Sequence, residues 1–307
     1  MFSPIIIFCY NRSAHLCRLI ESIKKNKNYK MHTYYFFVDG PKEEQDQAKI
    51  ENVLKVIDSF LYIKKKIVIR EKNLGLSKNI IYGLNYIFKK NLTAIILEDD
   101  LEINKCTINF LNSALKEKYK DKVMSVSAFS FVNNLNKSKN IPFFLTYRHC
   151  SWAWGTWSHV WNNISWSLND FDKYFSSMNS INQFERGGKD LYYLLKAQKY
   201  SLINSWAVRF NFHCHKNKGL SLNPRYSMVL NRGNDGSGTH QRRAFFNNKY
   251  RLNKYCPNLK KIKDARVHNI FNNYIMLNNK KSFRLFFIFI FLRIKFFFSF
   301  NKFRLNK

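Results

Sequence analysis

Residues 94–102 read Ala-Ile-Ile-Leu-Glu-Asp-Asp-Leu-Glu, so four apolar residues run directly into a cluster of acids. The chain has 307 residues and only 20 Asp and Glu, yet four of these acids fall within residues 98–102. A short apolar run of this kind is typical of a buried β-strand. Acids packed at the end of such a strand repel one another unless a cation neutralises them. The stretch therefore predicts a ligand site at a strand end, and a solvated acidic turn is the structural alternative.

Strands and helices alternate on both sides of this stretch. Short apolar or β-branched runs predict strands at Pro4–Phe8, Tyr34–Val38, Lys66–Arg70, Ala94–Leu97 and Lys122–Ala128. Apolar side chains that recur every three or four residues predict helices at Ala14–Lys25, Gln47–Phe60, Ser77–Lys89 and Thr107–Tyr119. Strands separated by helices imply parallel βαβ units. We therefore predict an α/β fold in which helices flank a mixed sheet.

Polar residues follow each of the first four predicted strands. They are Asn11 and Arg12, then Asp39, then Arg70, and then the acids of residues 98–100. In α/β sheets, ligands bind at the carboxyl ends of the strands. The sequence thus predicts that these side chains meet at one edge of the sheet.

The order and spacing of several motifs resemble those of the GT-A fold glycosyltransferases. The motifs are Pro4-Ile-Ile-Ile-Phe8, Tyr10-Asn11-Arg12, Phe36-Phe37-Val38-Asp39-Gly40, Asn73-Leu74-Gly75-Leu76-Ser77 and Leu97-Glu98-Asp99-Asp100. Bacterial family 2-type enzymes are similar, as is the N-acetylglucosaminyltransferase I group, which also carries a Glu-Asp-Asp form of the Asp-x-Asp motif. The resemblance covers roughly residues 3–240. It implies a metal-assisted, inverting transferase that uses a nucleotide diphosphate sugar, with a UDP-sugar as the first candidate.

The resemblance also implies a set of donor-binding residues, to which the tryptophan-rich segment adds two. The set is Asn11, Arg12, Asp39, Arg70, Asn73, Lys78, Glu98, Asp99, Trp154 and Gly155. Asp39 would hydrogen-bond the uracil or the ribose, because a carboxylate accepts from N–H and O–H donors. Glu98 and Asp99 would meet the sugar or the ribose. Asp100 would bind Mn²⁺ or Mg²⁺, which combine one or two carboxylates with phosphate oxygens and water.

The second half of the chain supplies the remaining predicted functions. An inverting transferase needs a general base for the acceptor hydroxyl, and in similar enzymes this base is an acid at a helix start. Asp190, directly before the helical run Leu191–Gln198, is the predicted base, with Glu185 as the alternative. A purely structural first-turn acid is the other interpretation of Asp190. His240, in a Gly/Asn-rich stretch, is predicted to be a further metal ligand.

Tryptophans and histidines mark two more segments. Residues 152–166 hold five tryptophans, and sugars stack their C–H faces on such rings. We assign Trp154 and Gly155 to the donor sugar and expect most of the other tryptophans in the core. His213 and His215 alternate as they would on one face of a strand. A structural role is expected for them, with a zinc site as the alternative.

The net charge of +32, from 52 Lys and Arg against 20 Asp and Glu, must attract polyanions. A nucleic-acid-binding protein should also show a recognisable module or a basic face interleaved with aromatics. Neither is present, so we predict no nucleic-acid partner. A sugar-nucleotide pyrophosphorylase is a second rival, but it needs a glycine-rich loop where this chain has Tyr10-Asn11-Arg12-Ser13. A non-catalytic protein that kept the fold remains open.

Composition divides the chain into a domain and a tail. We expect a GT-A domain at residues 1–255, with a nucleotide-sugar-binding half at 1–128 and an acceptor half at 129–255. Residues 256–307 would form a basic, aromatic, helical tail. Its longest apolar run, Leu285–Leu292, is far shorter than the ~20 residues that span a bilayer. The tail is therefore predicted to lie on an anionic membrane surface, with packing on the domain as the alternative.

The cysteines predict the compartment. Six cysteines are irregularly spaced, and no basic segment precedes the short apolar run Ile5–Cys9. Both features favour free thiols in a reducing cytoplasm. With the tail, they predict an enzyme on the inner face of the plasma membrane, where it would modify a cell-surface glycan or a lipid-linked acceptor.

Overall fold

The computed structural model of the chain describes residues 2–120, 122–132, 135, 140–233, 235 and 252–279. The strands in these residues are β1 (Ile5–Cys9), β2 (Thr33–Val38), β3 (Lys64–Ile69), β4 (Thr93–Glu98), β5 (Leu101–Ile103), β6 (Val123–Ser127), β7 (Phe143–Thr146), β8 (Trp154–Trp157), β9 (Leu220–Pro224) and β10 (Val229–Asn231). The α-helices are α1 (Ser13–Lys24), α2 (Asp46–Asp58), α3 (Leu76–Phe88), α4 (Thr107–Lys116), α5 (Ser158–Trp161), α6 (Phe171–Tyr174), α7 (Met178–Phe184), α8 (Leu191–Lys199), α9 (Trp206–Lys216) and α10 (Asn269–Asn278).

Eight of these strands form one sheet in the order β3-β2-β1-β4-β8-β6-β9-β7. The first four are parallel, β8 is antiparallel to both β4 and β6, and β7 is antiparallel to β9. The sheet is therefore mixed, as predicted. The other two strands, β5 and β10, pair with each other as a separate antiparallel ribbon.

Helices cover both faces of the sheet because β1 sends alternate side chains to opposite sides. Ile5 and Ile7 face the layer of α1, α2 and α4, whereas Ile6 and Phe8 face α3, α5 and α9. All five residues of β1 are buried, which is typical of a central parallel strand. The five strands and four helices predicted for the first 128 residues are all present, with ends that differ by no more than three residues. The expectation of an α/β fold is confirmed.

The structure corrects two expectations about the second half. His213 and His215 lie in helix α9, not in a strand, so they point in different directions around the helix. Among the described residues there is no group of three metal-binding side chains around them. The free-thiol expectation is also wrong for two cysteines, because Cys106 and Cys256 are joined by a disulfide.

The start of the predicted tail belongs to the domain. Ile262 is buried in the main core, and Phe271 and Ile275 of α10 pack with Phe144 and Val132. Residues 256–279 therefore complete the fold, because they cover β7 at the edge of the sheet. Residues 280–307 lie outside the described part of the chain. None of the helices that the structure describes is long and apolar enough to cross a membrane.

Candidate active site

The carboxyl ends of the parallel strands hold three of the predicted site residues in fixed positions. In each case the sheet ladder continues one residue beyond the strand. Backbone N–H groups donate from Asp99 to Phe8 (3.0 Å), from Asp39 to Cys9 (2.9 Å) and from Arg70 to Val38 (3.0 Å). The ladder thus brings the polar strand ends to one edge of the sheet, where the sequence placed them.

Arg12 lies directly against the acid cluster. Its Nη2 is 2.5 Å from Oδ1 of Asp99 and 3.1 Å from Oδ2 of Asp100, and the backbone N–H of Tyr10 donates to the other oxygen of Asp99 at 3.3 Å. Burial raises the pKa of Asp99, and Arg12 opposes that shift. Burial also raises the pKa of Glu98, and the charges of the two neighbouring aspartates raise it further. Arg12 therefore does not balance the whole negative charge of Glu98, Asp99 and Asp100.

The ribbon of β5 and β10 brings a late segment of the chain to Asp100. Leu101 pairs with Asn231, and the backbone N–H of Arg232 donates to the carbonyl of Asp100 at 2.8 Å. The Asn231 side chain donates to the Asp100 carboxylate at 3.3 Å. A Cβ on Gly233 would lie 2.3 Å from that carboxylate, so any other residue there would displace the Asp100 side chain. The glycine-rich stretch therefore begins beside the acid cluster, although His240 lies outside the described residues.

Asp39 organises the loop that follows β3. One carboxylate oxygen accepts the N–H of Leu74 at 2.8 Å, and the other accepts that of Gly75 at 2.9 Å. The Asn73 side chain donates back to the carbonyl of Gly40 at 2.9 Å. A carboxylate has about four lone-pair positions, so Asp39 keeps acceptor capacity for a nucleotide while it fixes the loop.

Two arginines flank the first turn of α3, which follows that loop. Arg70 stacks 3.8 Å above the Tyr82 ring and donates to Asn79, and Arg209 donates to the hydroxyl of Ser77 at 3.1 Å. Burial lowers the pKa of Arg209. Among the described residues, neither guanidinium has a carboxylate within ion-pair distance, so both are available to an anion. Lys78 is exposed on the same turn.

Asp46 holds the loop after β1 and was not identified from the sequence. Its carboxylate accepts from the Tyr10 hydroxyl at 2.5 Å and from the Asn11 amide at 2.8 Å. These hydrogen bonds, that of Tyr10 first, lower the pKa of Asp46 to about 2. Burial and Asp46 raise the pKa of Tyr10 to about 12. No motif marked Asp46, because only the folded chain brings it to residues 10 and 11.

Asp190 and Glu185, the two predicted bases, are both in ion pairs. Both oxygens of Asp190 accept from the Arg148 guanidinium, at 2.7 and 2.9 Å. Glu185 pairs with Lys189 at 3.0 Å. The Asp190 side chain is 17% exposed and that of Glu185 only 3%, so an acceptor hydroxyl reaches Asp190 more easily.

The acid cluster partly suits a divalent cation. Among the residues that the structure describes, no three His, Cys, Asp or Glu side chains form a ready-made cage. Asp99 and Asp100 nevertheless turn carboxylate oxygens toward a common cation, since the Arg12 guanidinium already bridges them. Mg²⁺ and Mn²⁺ commonly take one or two carboxylates and complete their shell with substrate phosphates and water. The donor set therefore fits a metal that arrives with a diphosphate.

Residues 5–180 match the sequence profile of glycosyl transferase family 2, and these residues include every strand end described above. The chain belongs to this family. The family membership expected from the motifs is thereby confirmed. Asp190 and the glycine-rich stretch lie beyond the matched residues, so the family match does not extend to them.

Two solved structures are similar to part of this family 2 chain. Staphylococcus aureus TarS 1-349 is 16% identical, with 55% of this chain and 51% of that one covered and a TM-score of 0.39. The mannosyltransferase PcManGT from Pyrobaculum calidifontis, in complex with GDP-Man and Mn2+, is 8% identical, with coverages of 60% and 52% and a TM-score of 0.37. The chain thus spans about half the length of these proteins. No curated protein matches the chain.

In this family 2 chain, Trp154 and Gly155 lie in the core, where β8 pairs with β4. Trp154 is fully buried and stacks on Trp206, with their ring centroids 5.1 Å apart. Gly155 lies in the middle of β8, where a Cβ would meet the carbonyl of Ala94 and the Leu115 side chain at 2.9 Å. Both residues therefore contribute to the packing of the sheet, and their contact with the donor sugar stays a prediction.

Proposed function

We propose that this enzyme transfers a sugar from a nucleotide diphosphate sugar, with a UDP-sugar as the first candidate, to a glycan or a lipid-linked acceptor of the cell surface. The observation that carries the proposal is the meeting of Asp39, Asp99 and Asp100 with Arg12 at one sheet edge. A nucleotide diphosphate needs acceptors for its base and ribose and cations for its phosphates. This edge offers both within one ladder of hydrogen bonds.

The donor would lie across the carboxyl ends of β1, β2 and β4. Asp39 would accept from the base or ribose, with Asn11 and Asn73 bordering the nucleotide. Glu98 and Asp99 would face the ribose and the sugar. Arg70 and Lys78 would add positive charge beside the base or the diphosphate. Asp100, with His240 as a further ligand, would hold Mn²⁺ or Mg²⁺, which stabilises charge that develops on the leaving diphosphate.

The chemical step would be a single displacement with inversion. Asp190 would accept the proton of the acceptor hydroxyl as its oxygen forms a bond to the anomeric carbon of the donor. The bond from that carbon to the diphosphate oxygen would break, and the electron pair would leave on the diphosphate. Arg148 would orient the Asp190 carboxylate, and each oxygen retains a lone pair for the hydroxyl.

The domain and membrane assignments remain proposals. Residues 1–128 would bind the donor and residues 129–255 the acceptor. Residues beyond 279 would hold the protein on an anionic membrane surface on the inner side of the plasma membrane.

A panel of nucleotide sugars tests the proposal, with donor hydrolysis and thermal shift measured in Mn²⁺, Mg²⁺ and EDTA. We expect one donor to stabilise the native state by mass action and to be hydrolysed only with metal. Asp100→Ala should abolish metal-dependent nucleotide binding and transfer. Glu102→Gln is the matched control, since Glu102 belongs to the same acidic run but pairs outward with Arg232. Full turnover of Asp100→Ala in EDTA would contradict the metal assignment.

A further inference from the structure

Arg12 occupies the position that a bound metal needs. Its Nη2 lies between Asp99 Oδ1 at 2.5 Å and Asp100 Oδ2 at 3.1 Å. A divalent cation bound to the same oxygens would sit about 2.1 Å from them. The two cations cannot share that space, because a guanidinium nitrogen already fills it and like charges repel. Metal binding to these oxygens therefore requires the Arg12 side chain to leave.

The surroundings allow that movement. The carbonyl of Arg12 accepts the N–H of Leu16 at 3.1 Å, so its backbone is fixed at the start of α1. Its side chain is 20% exposed, against 4% for Asp99 and 13% for Asp100. The acids are thus the rigid, buried partner, and the guanidinium is the partner that can swing toward solvent and the sheet edge.

A bound diphosphate would attract the Arg12 guanidinium away from the acids. Guanidinium groups bind phosphate oxygens through paired, charge-assisted hydrogen bonds. A diphosphate beside the acids would thus offer Arg12 a new anionic partner and offer the metal its missing oxygens. Without the diphosphate, removing Arg12 would leave Glu98, Asp99 and Asp100 together without their counter-ion. The balance of charge changes only when both the metal and the nucleotide are present.

We propose that Arg12, which bridges Asp99 and Asp100, is an internal cation that excludes the metal from Asp100 in the nucleotide-free enzyme and moves to the diphosphate when the donor binds. The inference rests on the proposed function and adds an order of events to it. Metal and nucleotide bind as a coupled pair, and the free enzyme holds little metal. Linkage requires the nucleotide to raise metal affinity by the same factor as the metal raises nucleotide affinity.

Binding of Mn²⁺ to the full chain tests this directly, by electron paramagnetic resonance of free Mn²⁺ in titrations with and without UDP. In the wild type, we expect UDP to increase Mn²⁺ affinity about 5- to 150-fold, the usual range for coupled ligands. Arg12→Gln should bind Mn²⁺ tightly without UDP and lose most of that coupling. Arg12→Lys keeps the positive charge and should retain part of the coupling between Mn²⁺ and UDP. Arg18→Gln, which removes one exposed charge from the same helix, should behave like the wild type.

Equal Mn²⁺ affinity of the wild type and Arg12→Gln in the absence of UDP would overturn the inference. So would a wild type that binds Mn²⁺ equally with and without UDP, and in that case the proposed metal-assisted function would survive. If no variant binds Mn²⁺ even with UDP, both proposals fail. Should Arg12→Gln prove unfolded by circular dichroism, Arg12→Lys decides, because full wild-type coupling and wild-type Mn²⁺ affinity in that variant would contradict a specific role of the Arg12 guanidinium.

Discussion

The carboxylate of Asp39 lies 2.9 Å from the backbone nitrogen of Gly75, so the end of β2 holds the loop between β3 and α3. Gly75 has a φ of 74°, in the left-handed region that glycine tolerates best. We expect Asp39→Asn to weaken nucleotide binding, because an amide would turn an N–H group toward the N–H of Leu74 or Gly75. UDP affinity measured by calorimetry should fall about 10-fold or more, as for a lost charged hydrogen bond. Asp58→Asn, at the exposed end of α2, is the control.

The role of Asp190 can be separated from its ion pair with Arg148. Asp190→Asn keeps the shape but cannot accept a proton, so the transfer rate should fall by roughly 10²–10⁴ while donor affinity is retained. Single-turnover kinetics with a saturating donor measure this. Glu185→Gln is the matched variant, and it should cost stability rather than rate, since it leaves Lys189 without its charge partner. If the transfer rate of Asp190→Asn is within a few-fold of wild type, another group accepts the proton of the acceptor hydroxyl.

Strand β4 and the acids that follow it show how much of this fold can be predicted from the sequence. Residues 94–102 predicted both β4 and the edge of the sheet that holds the candidate site, because an apolar run and its end are local properties. Asp46 and Arg148 could not be predicted, because they lie 35 residues from Asn11 and 42 from Asp190. Their partners depend on how loops meet in three dimensions.

Trp154 shows why the acceptor half was harder to interpret. The sequence alone does not distinguish a tryptophan that stacks on a sugar from one that stacks on another core residue such as Trp206. The strand β8, which places Trp154 in the core, is only four residues long and runs against its neighbours. The strand expected around His213 and His215 was wrong for a related reason. Two residues separated by one position fit the alternating pattern of a strand by chance. Tertiary packing decided both cases.

The disulfide between Cys106 and Cys256 should stabilise the edge of the domain. It joins Cys106, at the start of α4, to Cys256, which lies 150 residues later in the sequence. Cys106→Ser should lower the free energy of unfolding by about 2–5 kcal/mol. Chemical denaturation with and without reductant measures this, and reductant should not affect the variant further. Cys17→Ser, at an exposed free cysteine, is the control. Full alkylation of native protein at Cys106 would show that the bond does not form.

Acid should destabilise the fold through His149. Burial against Trp154 and Phe210 lowers its pKa to about 3, so the folded state keeps it neutral. The unfolded chain binds a proton near pH 6.5. Stability from this group is therefore complete above pH 6.5 and declines as the pH falls toward 3, by at most about 1.4 kcal/mol per pH unit. His149→Phe should flatten the pH dependence of urea unfolding between pH 6.5 and 4. An unchanged slope would contradict the assignment.

The last prediction concerns residues 282–307, whose sequence contains Arg and Lys but no acid. Each basic group near an anionic surface contributes about 1 kcal/mol, and the Phe, Ile and Leu side chains add apolar burial. Removing these residues should release the protein from anionic liposomes in a sedimentation assay. Donor hydrolysis should be retained, because α10 and the segment that covers β7 end before residue 280. Salt should weaken binding of the full chain only in part, since apolar burial is not screened.

Arg293→Glu combined with Lys295→Glu separates the two contributions to this membrane contact. The charge reversal should weaken binding to anionic vesicles and leave residual binding to neutral ones unchanged. If the truncated protein still sediments with anionic liposomes, the basic surface of the domain holds the membrane instead. If the truncated protein unfolds in circular dichroism, the segment packs on the domain as part of its core. In either case the tail is not the anchor, and the acceptor must be brought to the site in another way.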